Sequence, residues 1–251
     1  MSQTLFDLTG RRALVTGSGQ GIGLSLAKGL AASGAAVVLN GRDAAKLEAA
    51  KAEIRGATAH VFDVTDTAAV AAGIERIEKD EGPIDILVNN AGIQRRAPLD
   101  EISEETWREV MATNLDAVFF VGKEVAKRMI PRRRGKIINI CSLTSDVARP
   151  TITPYATAKG GVRMMTKGMC ADWARHGLQI NGIGPGYFKT PLNKALIEDP
   201  EFNAWVEKRT PAGRWGETDE LQGCCIFLAS EASSFVNGQI FYVDGGLLAV
   251  F

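Results

Sequence analysis

The sequence predicts an α/β protein, a single-domain doubly wound parallel sheet (Rossmann-like) with helices on both faces. Three observations lead to this class. Short apolar segments alternate with longer helical ones, a glycine-rich turn follows the first apolar segment, and 251 residues suffice for one large domain. Strands buried on both faces form continuous apolar runs, and right-handed crossovers between them give the doubly wound arrangement. We therefore expect one domain over residues 1–251, with about seven strands.

The predicted strands are residues 12–16, 35–40, 58–62, 84–89, 136–141, 179–183 and 239–243. The helices predicted between them are residues 21–33, 44–54, 67–80, 104–129, 153–175 and 219–229. The segment 184–214 interrupts this alternation, and long excursions in compact domains often form lids or binding loops. We expect this segment to lie at the carboxyl ends of the strands, beside a ligand.

Composition narrows the range of functions. Lys and Arg total 29, and Asp and Glu also total 29, so no net charge attracts the chain to nucleic acid or to an anionic membrane. No apolar run approaches the roughly 20 residues of a membrane span. The first residues lack the basic and then apolar pattern of a secretory signal. We expect a cytoplasmic protein without nucleic-acid or membrane partners.

Cysteine and histidine are too few and too scattered to predict a metal site. Cys141, Cys170, Cys224 and Cys225 form no Cys-x-x-Cys pair, and the chain has only 2 histidines. This spacing favours free thiols in a reducing compartment. We therefore expect no bound metal.

A glycine-rich turn, TGSGQGIG at 16–23, joins the first predicted strand to the first predicted helix. Glycine allows a tight turn and close approach of the backbone to a pyrophosphate, and the helix N-terminus offers unpaired N–H groups. A purely structural turn is the alternative, but the position at the first strand–helix junction favours dinucleotide binding. The expected cofactor contacts in this turn are Gly17, Ser18, Gln20, Gly21, Ile22 and Gly23.

The end of the second predicted strand bears on the choice between NAD and NADP. Recognition of an NAD ribose calls for an acidic residue there, but the chain has Gly41 followed by Arg42. The planar arginine fork binds phosphate well, so the sequence favours NADP(H). NAD stays possible because Gln20 adds no second basic contact. Asp43 is expected to cap the second helix rather than to bind a ribose.

Tyr155 and Lys159 lie four residues apart in a predicted helix, and Ser142 lies thirteen residues before the tyrosine. Residues i and i+4 share a helix face, so the lysine ammonium should lie beside the phenol and favour its ionised form. Lowering a tyrosine pKa by about three units takes about 4 kcal/mol. Such a tyrosine could act as a general acid or base near neutral pH. The alternative is a half-buried tyrosine beside a solvated lysine.

Together these motifs resemble the short-chain dehydrogenase/reductase family over essentially the whole chain. The resemblance rests on TGSGQGIG, DVT at 63–65, NNAG at 89–92, PG at 185–186, VDGG at 243–246 and the residues of the catalytic set that it implies, Asn114, Ser142, Tyr155 and Lys159. In such a set the serine orients the substrate oxygen and the tyrosine donates or accepts the proton. The lysine lowers the tyrosine pKa and binds the nicotinamide ribose, while the asparagine holds a water near the lysine.

The same resemblance implies cofactor contacts beyond the glycine-rich turn. They are Arg42, Asp63, Val64, Asn90, Ala91, Gly92, Tyr155, Lys159, Pro185, Gly186 and Thr190. Three of them have structural alternatives. Asp63 could cap a turn before the third helix, Asn90 could satisfy loop backbone, and Thr190 could begin a helix before Pro191.

Longer stretches, among them NNAGIQRRAPL, ARHGLQIN, RTPAGRWG and SSFVNGQ, are similar to a branch of the family that interconverts D-gluconate and 5-dehydro-D-gluconate with NADP(H). A sugar acid needs a cation for its carboxylate, and IQRR brings Arg95 and Arg96 to the ligand end of the fourth predicted strand. Arg96 is the preferred substrate contact, beside Ser142 and Tyr155, and Arg149 is the second candidate. Solvated loop charges are the alternative for these arginines.

Other substrates and another class of protein stay open. Reduction of a different carbonyl, such as a 3-oxoacyl thioester, or oxidation of a polyol or sugar would use the same mechanism. A catalytically silent NADP(H)-binding protein would use the fold alone, although the intact catalytic set argues against it. The resemblance also implies subunit association, and a homotetramer is expected because the chain ends in apolar residues that are costly to expose, Leu247, Leu248, Val250 and Phe251.

Overall fold

The computed structural model describes residues 5–250. Within them, seven strands form one parallel sheet in the order β3-β2-β1-β4-β5-β6-β7. The strands are β1 (Arg12–Val15), β2 (Ala36–Gly41), β3 (Thr58–Val61), β4 (Ile86–Asn89), β5 (Gly135–Ile140), β6 (Leu178–Pro185) and β7 (Ile240–Val243). Every predicted strand is present with ends shifted by at most two residues, and the predicted fold class is confirmed.

Helices cover both faces of this sheet because neighbouring strand residues point to opposite sides. The helices of the described chain are α1 (Gly21–Ala32), α2 (Ala44–Ala52), α3 (Thr67–Asp80), α4 (Glu104–Met111), α5 (Ala117–Arg132), α6 (Thr153–Trp173), α7 (Lys194–Ile197), α8 (Pro200–Arg209) and α9 (Gln222–Ala229). Val15 packs in one core cluster with residues of α1, α2 and α9, whereas Leu14 packs in the other with residues of α3, α5 and α6.

The long helix predicted over 104–129 is interrupted, which the hydrophobic pattern did not indicate. A π-helical turn, Ala112–Asp116, separates α4 from α5. It contains the fully buried Asn114, whose side chain binds both the N–H and the C=O of Ile93. Single π turns of this kind occur often at functional sites. The helix predicted over 219–229 begins as a 3₁₀ turn, Thr218–Leu221, before α9.

Two local predictions, the cap at Asp43 and the free cysteines, agree with the structure. Asp43 caps α2 by accepting a hydrogen bond of 3.1 Å from the backbone N–H of Lys46, as predicted. The four cysteines are free thiols. In the described part of the chain, no helix is long and apolar enough to cross a membrane, and no group of three or more His, Cys, Asp or Glu residues is arranged to hold a metal ion.

The segment 184–214 leaves the carboxyl end of β6 and contains α7 and α8. Aromatic rings hold it together, because Tyr187 makes edge contacts with Phe202, Trp205 and Trp215 at centroid distances of 5.5–5.8 Å. A bridge between Phe188 and Gly216 closes the base of this excursion. The packing therefore holds the segment over the edge of the sheet where the strands end.

Candidate active site

A cavity of about 530 Å³ lies at the carboxyl ends of β1, β2 and β4. The topology places it there because the chain order reverses between β1 and β4, and ligands of open α/β sheets bind at such a switch point. Most of the residues predicted to bind a cofactor line it, namely Gly17, Gln20, Gly21, Ile22, Gly23, Arg42, Asp63, Val64, Asn90, Ala91, Gly92, Tyr155, Lys159 and Thr190.

The start of α1 suits a pyrophosphate. Gln20 makes no side-chain cap, and the first turn contains no acidic residue, so backbone N–H groups and the positive end of the helix dipole face the cavity. Gly21 adopts φ of 59°, in the left-handed region that favours glycine. A Cβ atom on Gly23 would lie 2.5 Å from the carbonyl oxygen of Gly17. The turn therefore fits a dinucleotide phosphate, and the sequence meets both constraints with glycine.

Two basic side chains lie at the far end of this cavity. The Arg42 guanidinium is 3.3 Å from Asp63 and remains mostly exposed, and Lys46 lines the same wall from the first turn of α2. Burial acts to raise the pKa of Asp63, but hydrogen bonds from Thr65 and the charge of Arg42 hold it below its ordinary value. Sequence reasoning missed Lys46, although its position three residues after the predicted cap Asp43 could have indicated it.

Two predicted cofactor contacts, Ser18 and Asn90, hold the glycine-rich turn in place through their side chains. The Ser18 hydroxyl accepts a hydrogen bond of 3.0 Å from the backbone N–H of Asn40, and Ser18 lines neither of the site's cavities. The Asn90 amide donates to the carbonyl oxygens of Thr16 and Gly17 at 2.9 and 3.0 Å. Asn90 thus fixes the glycine-rich turn through its side chain, which was the alternative, while still lining the cavity.

The side chain of Asn114 is bound to the backbone of the loop that follows β4. Its carbonyl oxygen accepts from the Ile93 N–H at 2.7 Å, and its amide donates to the Ile93 carbonyl at 2.8 Å. The side chain lies behind Gly92, where an added Cβ would be 3.2 Å from the Asn114 oxygen, and it lines neither cavity of the site. These bonds use one acceptor position and one N–H group of the amide, and the role of Asn114 in holding a water near Lys159 stays a prediction.

A smaller cavity of about 110 Å³ adjoins the first at the carboxyl ends of β5 and β6. It takes in the predicted residues Arg96, Ser142, Tyr155, Pro185, Gly186 and Thr190, together with the second candidate Arg149. The two cavities share one wall, formed by Ile22, Ile140, Tyr155, Thr190 and Leu192. Pro185 and Gly186, predicted as cofactor contacts, therefore line the smaller cavity rather than the larger one.

Ser142 lies two residues after the end of β5 and is buried. Its hydroxyl oxygen accepts hydrogen bonds from the backbone N–H of Thr144 at 3.1 Å and from the Thr144 hydroxyl at 3.0 Å. In the described chain these bonds use the oxygen as an acceptor, so the serine hydrogen can be donated to a ligand in the cavity.

Tyr155 and Lys159 lie on one face of α6, as the i, i+4 spacing predicts. The Lys159 ammonium is 5.7 Å from the Tyr155 ring centroid and donates to the Ile140 carbonyl oxygen at 2.6 Å. Burial raises the pKa of Tyr155, while hydrogen bonding to Ser142 and the charge of Arg96 lower it. Burial also lowers the pKa of Lys159 to about 8. The charge of Arg96 therefore favours the phenolate, and an effect of Lys159 on the Tyr155 pKa stays a prediction.

The two arginines of the IQRR motif lie in different surroundings. Arg95 forms an ion pair of 2.6 Å with Glu109 on α4, outside both cavities of the site. Arg96 lines the smaller cavity. Burial and the positive charge of Arg149 lower the pKa of Arg96, whereas Tyr187 and Tyr155 raise it. Arg95 therefore matches the alternative, a loop charge away from the ligand. Arg96 lines the smaller cavity and can bind a ligand there.

Arg149 approaches the same cavity from the loop before α6. Its guanidinium lies 5.1 Å from the Phe202 ring centroid, in the excursion that follows β6. Burial raises the pKa of Tyr187, and the charge of Arg149 and a hydrogen bond to it lower that pKa. Two guanidinium groups from distant parts of the sequence thus face one small cavity that also contains Ser142 and Tyr155.

Gln94 and Tyr187 line this cavity but were not predicted. The side-chain carbonyl oxygen of Gln94 is buried and has no hydrogen-bond partner within residues 5–250, so it can accept from a ligand hydroxyl. Gln94 precedes Arg96 by two residues, and such alternation along an extended segment places both side chains on one side. Tyr187 directly follows the PG motif, which was the available signal.

Comparison with known proteins identifies the family. A family model described as enoyl-(acyl carrier protein) reductase matches residues 17–248. The gluconate 5-dehydrogenase of Gluconobacter oxydans (strain 621H) is 61% identical over 247 residues, which covers 97% of this chain and 96% of that protein. The chain belongs to the short-chain dehydrogenase/reductase family. The family prediction is thereby confirmed, and as a member the protein is an oxidoreductase of CH–OH groups.

Two further relatives are similar over nearly the whole chain. The 5-keto-D-gluconate 5-reductase of Escherichia coli (strain K12) is 52% identical over 248 residues, which covers 97% of this chain and 98% of that protein. A crystal structure of a gluconate 5-dehydrogenase from Burkholderia cenocepacia J2315 in complex with NADP and tartrate superimposes with a TM-score of 0.95. It shares 58% identity and covers 98% of each chain.

Proposed function

We propose that the protein is an NADP(H)-dependent oxidoreductase that interconverts D-gluconate and 5-dehydro-D-gluconate. Its high identity to relatives of those two names supports the proposal. The observation that carries it is the smaller cavity, in which Arg96 and Arg149 face the same space as Ser142 and Tyr155. A carboxylate bound by the arginines and a carbon–oxygen group held by Ser142 and Tyr155 are the two ends of a small sugar acid.

The larger cavity is assigned to NADP(H). The α1 N-terminus would hold the pyrophosphate, and Arg42 with Lys46 would hold the phosphate that distinguishes NADP from NAD. Bound NADP(H) supplies or accepts the hydride. A neighbour of 58% identity crystallised with NADP supports the choice over NAD. Asp63, Val64, Asn90, Ala91 and Gly92 would line the remainder of the site.

In reduction, Tyr155 donates its proton to the substrate carbonyl oxygen, and in oxidation it accepts the proton from the hydroxyl. Ser142 donates a hydrogen bond to the same oxygen and orients it. The positive charge of Arg96 favours the phenolate, which opposes the effect of burial on the Tyr155 pKa. Lys159 anchors α6 to the Ile140 carbonyl and presents its remaining N–H groups to the larger cavity.

Four coarser features complete the proposal. Residues 1–251 form one catalytic domain, and the segment 184–214 acts as a lid over the substrate. The protein works in the cytoplasm as a homotetramer. Exposed apolar side chains support association, namely Phe119 on α5, Met164 on α6, Phe235 and Val250. Phe251, predicted to contribute, lies outside the described residues. Light scattering should give four times the chain mass, and a monomer would contradict this assembly.

A substrate panel tests the proposed activity directly. We expect reduction of 5-dehydro-D-gluconate with NADPH, and the reverse reaction with D-gluconate and NADP, at kcat/KM values at least tenfold above those for polyols, for uncharged sugars and for a 3-oxoacyl thioester. The thioester is included because the matching family model is described as enoyl-(acyl carrier protein) reductase. A higher kcat/KM for the thioester would overturn the assignment, as would absence of turnover with every compound.

A further inference from the structure

A further cavity, of about 230 Å³, lies at the amino-terminal edge of the sheet, opposite the edge that carries the candidate active site. Its walls come from residues that precede or begin β1, β4, β5 and β6 and from the turn after α9. Four basic and two acidic side chains of the described residues line it: Arg11, Asp85, Arg133, Arg134, Lys136 and Glu231. The cavity thus has an excess of positive charge.

Lys136 is the unusual member of this group. It is a β5 residue of which only 7% is exposed, and its ammonium donates to the Ser233 hydroxyl oxygen at 3.3 Å. Ser233 is itself fully buried, and its hydroxyl lies within hydrogen-bond distance of the Leu228 carbonyl. Within residues 5–250, no ion pair joins Lys136 to a carboxylate closer than 4.0 Å. A buried ammonium with one long bond to a neutral group is poorly compensated.

The two carboxylates of the cavity are engaged elsewhere. Glu231 pairs with Arg11 at 2.5 Å, and Asp85 pairs with Arg134 at 2.6 Å. Asp85 also accepts a hydrogen bond from the backbone N–H of Arg12, which joins β1 to β4 at this edge. These contacts neutralise the two arginines, so the excess charge belongs to Lys136 and to the remaining arginine.

That remaining arginine is Arg133, the C-cap residue of α5. It adopts φ of 50°, a left-handed conformation in which glycine is favoured, so the helix end carries a cation where glycine would relieve backbone strain. Its guanidinium donates to the Arg175 carbonyl oxygen at 3.2 Å. That bond uses one of the five N–H groups of the guanidinium, and the others can reach a ligand in the cavity.

We propose that this cavity is a second ligand site, for a small oxyanion that carries a phosphate group. Its oxygens would give Lys136 a charged hydrogen-bond partner, closer than Glu231, whose charge acts on Lys136 without an ion pair, and would bind the Arg133 guanidinium. The volume suits a phosphate with a short organic group, and the site shares no residue with the two cavities of the candidate active site. It is independent of the proposed activity, because its walls lie at the opposite edge of the sheet.

The test titrates inorganic phosphate into the full-length protein saturated with NADP, so that phosphate-binding positions in the active site are filled. Sodium chloride at matched ionic strength is the reference. We expect phosphate to raise the Tm above that reference, because a ligand that binds only the folded state stabilises it. Lys136→Met should weaken phosphate binding about tenfold or more, since it removes the buried charge. It should also raise the Tm without phosphate.

Two more variants make the result specific. Lys79→Met removes an exposed lysine near the end of α3, outside the cavity, and should keep the wild-type phosphate response. Arg133→Met alters an exposed side chain, so it should fold even where Lys136→Met does not, and it should weaken binding about threefold or more. No phosphate effect beyond chloride in the wild type would overturn the proposal. An unchanged phosphate response in Arg133→Met would also overturn the proposal, whether or not Lys136→Met folds.

The source of the phosphate is decided by comparing two probes. Tighter binding of glycerol 2-phosphate than of inorganic phosphate would identify the ligand as the phosphate group of a metabolite. Tighter binding of inorganic phosphate would identify free phosphate. Equal loss of affinity for either probe in Lys79→Met and Lys136→Met would show general charge screening and would contradict a built site.

Discussion

The two cavities of the candidate active site are built in different ways. The larger one is formed mainly at the ends of four successive strands, β1 to β4, where each contribution lies within a short stretch of sequence and the first is rich in glycine. The smaller one is formed by Ile22 and by residues from three separated stretches, 94–96, 140–155 and 185–196. Backbone constraints leave glycine signatures that can be read locally, whereas convergence of side chains depends on the whole fold. The cofactor cavity is therefore of a general kind, whereas the substrate cavity is particular to this protein.

The largest expected effect falls on Tyr155, which is among the residues that line both cavities. Tyr155→Phe should lower kcat about a thousandfold or more, because it removes the proton that is transferred and keeps the ring that forms the wall. The dissociation constant for NADPH should stay within about twofold of wild type. Stopped-flow and fluorescence titration measure the two quantities, and a kcat loss below tenfold would remove Tyr155 from the chemistry.

The next effect separates the substrate cavity from the cofactor cavity. Arg96→Met and Arg149→Met should each raise the KM for D-gluconate about tenfold to a hundredfold, because each removes a charged hydrogen bond to the carboxylate. The KM for NADP should remain nearly constant in both variants.

Arg95→Met is the matched control, since that side chain is paired with Glu109 outside both cavities. Its KM for D-gluconate should stay within about twofold of wild type. If Arg95→Met raised this KM as much as Arg96→Met, the carboxylate would not be bound in the smaller cavity as described.

The cofactor cavity can be probed at its phosphate end. Arg42→Ala should raise the KM for NADPH about tenfold or more and leave the KM for NADH unchanged, because only NADPH carries the additional phosphate. Lys46→Ala should give a smaller change of the same kind, since lysine binds phosphate as a point charge. Initial-rate measurements with both cofactors check this, and equal effects on NADPH and NADH would disprove the NADP preference.

The smallest expected effect concerns the buried ammonium of Lys159, which lines the larger cavity. Burial lowers the pKa of Lys159 from its ordinary value of 10.5 to about 8. Between those values the unfolded chain binds more protons, so this residue makes stability rise with pH there. Replacing it by methionine removes that dependence. The free energy of unfolding of Lys159→Met relative to wild type should fall by about 1–3 kcal/mol between pH 7 and pH 10.

Urea unfolding without cofactor at both pH values measures this difference. Lys167→Met, which alters an exposed lysine on the same helix, is the control and should show almost no pH-dependent difference from wild type. A pH-independent difference between Lys159→Met and wild type would mean that Lys159 titrates in the folded protein as it does in water.

The sequence predicted the sheet, the glycine-rich turn and the membership of Tyr155, Ser142 and Lys159 in one site, because these depend on strand patterns and short motifs. It could not predict which way the Lys159 ammonium points, since the acceptor is a carbonyl of β5, nineteen residues earlier. The sequence also did not indicate the π turn at Asn114. Asn114 binds the backbone of Ile93 there, and helical periodicity does not record such a contact.

The arginines show the same limit more sharply. Arg95 and Arg96 are neighbours with equal claims in the sequence, and only the position of Glu109 on α4 separates them. Arg149 was a weaker candidate because nothing in its local sequence refers to the cavity. Its partner ring, Phe202, lies in the excursion after β6, so the pair forms only when that excursion folds back over the sheet.

The wall common to both cavities bears on how such sequences diverge. A substitution at Ile22, Thr190 or Leu192 that widens the space for a new substrate also reshapes the compartment that receives the dinucleotide. Neutral drift at these positions is therefore constrained from two sides. New specificities arise more readily at Gln94, Arg149 or Tyr187, which touch one compartment alone. Relatives with different substrates should thus vary there first.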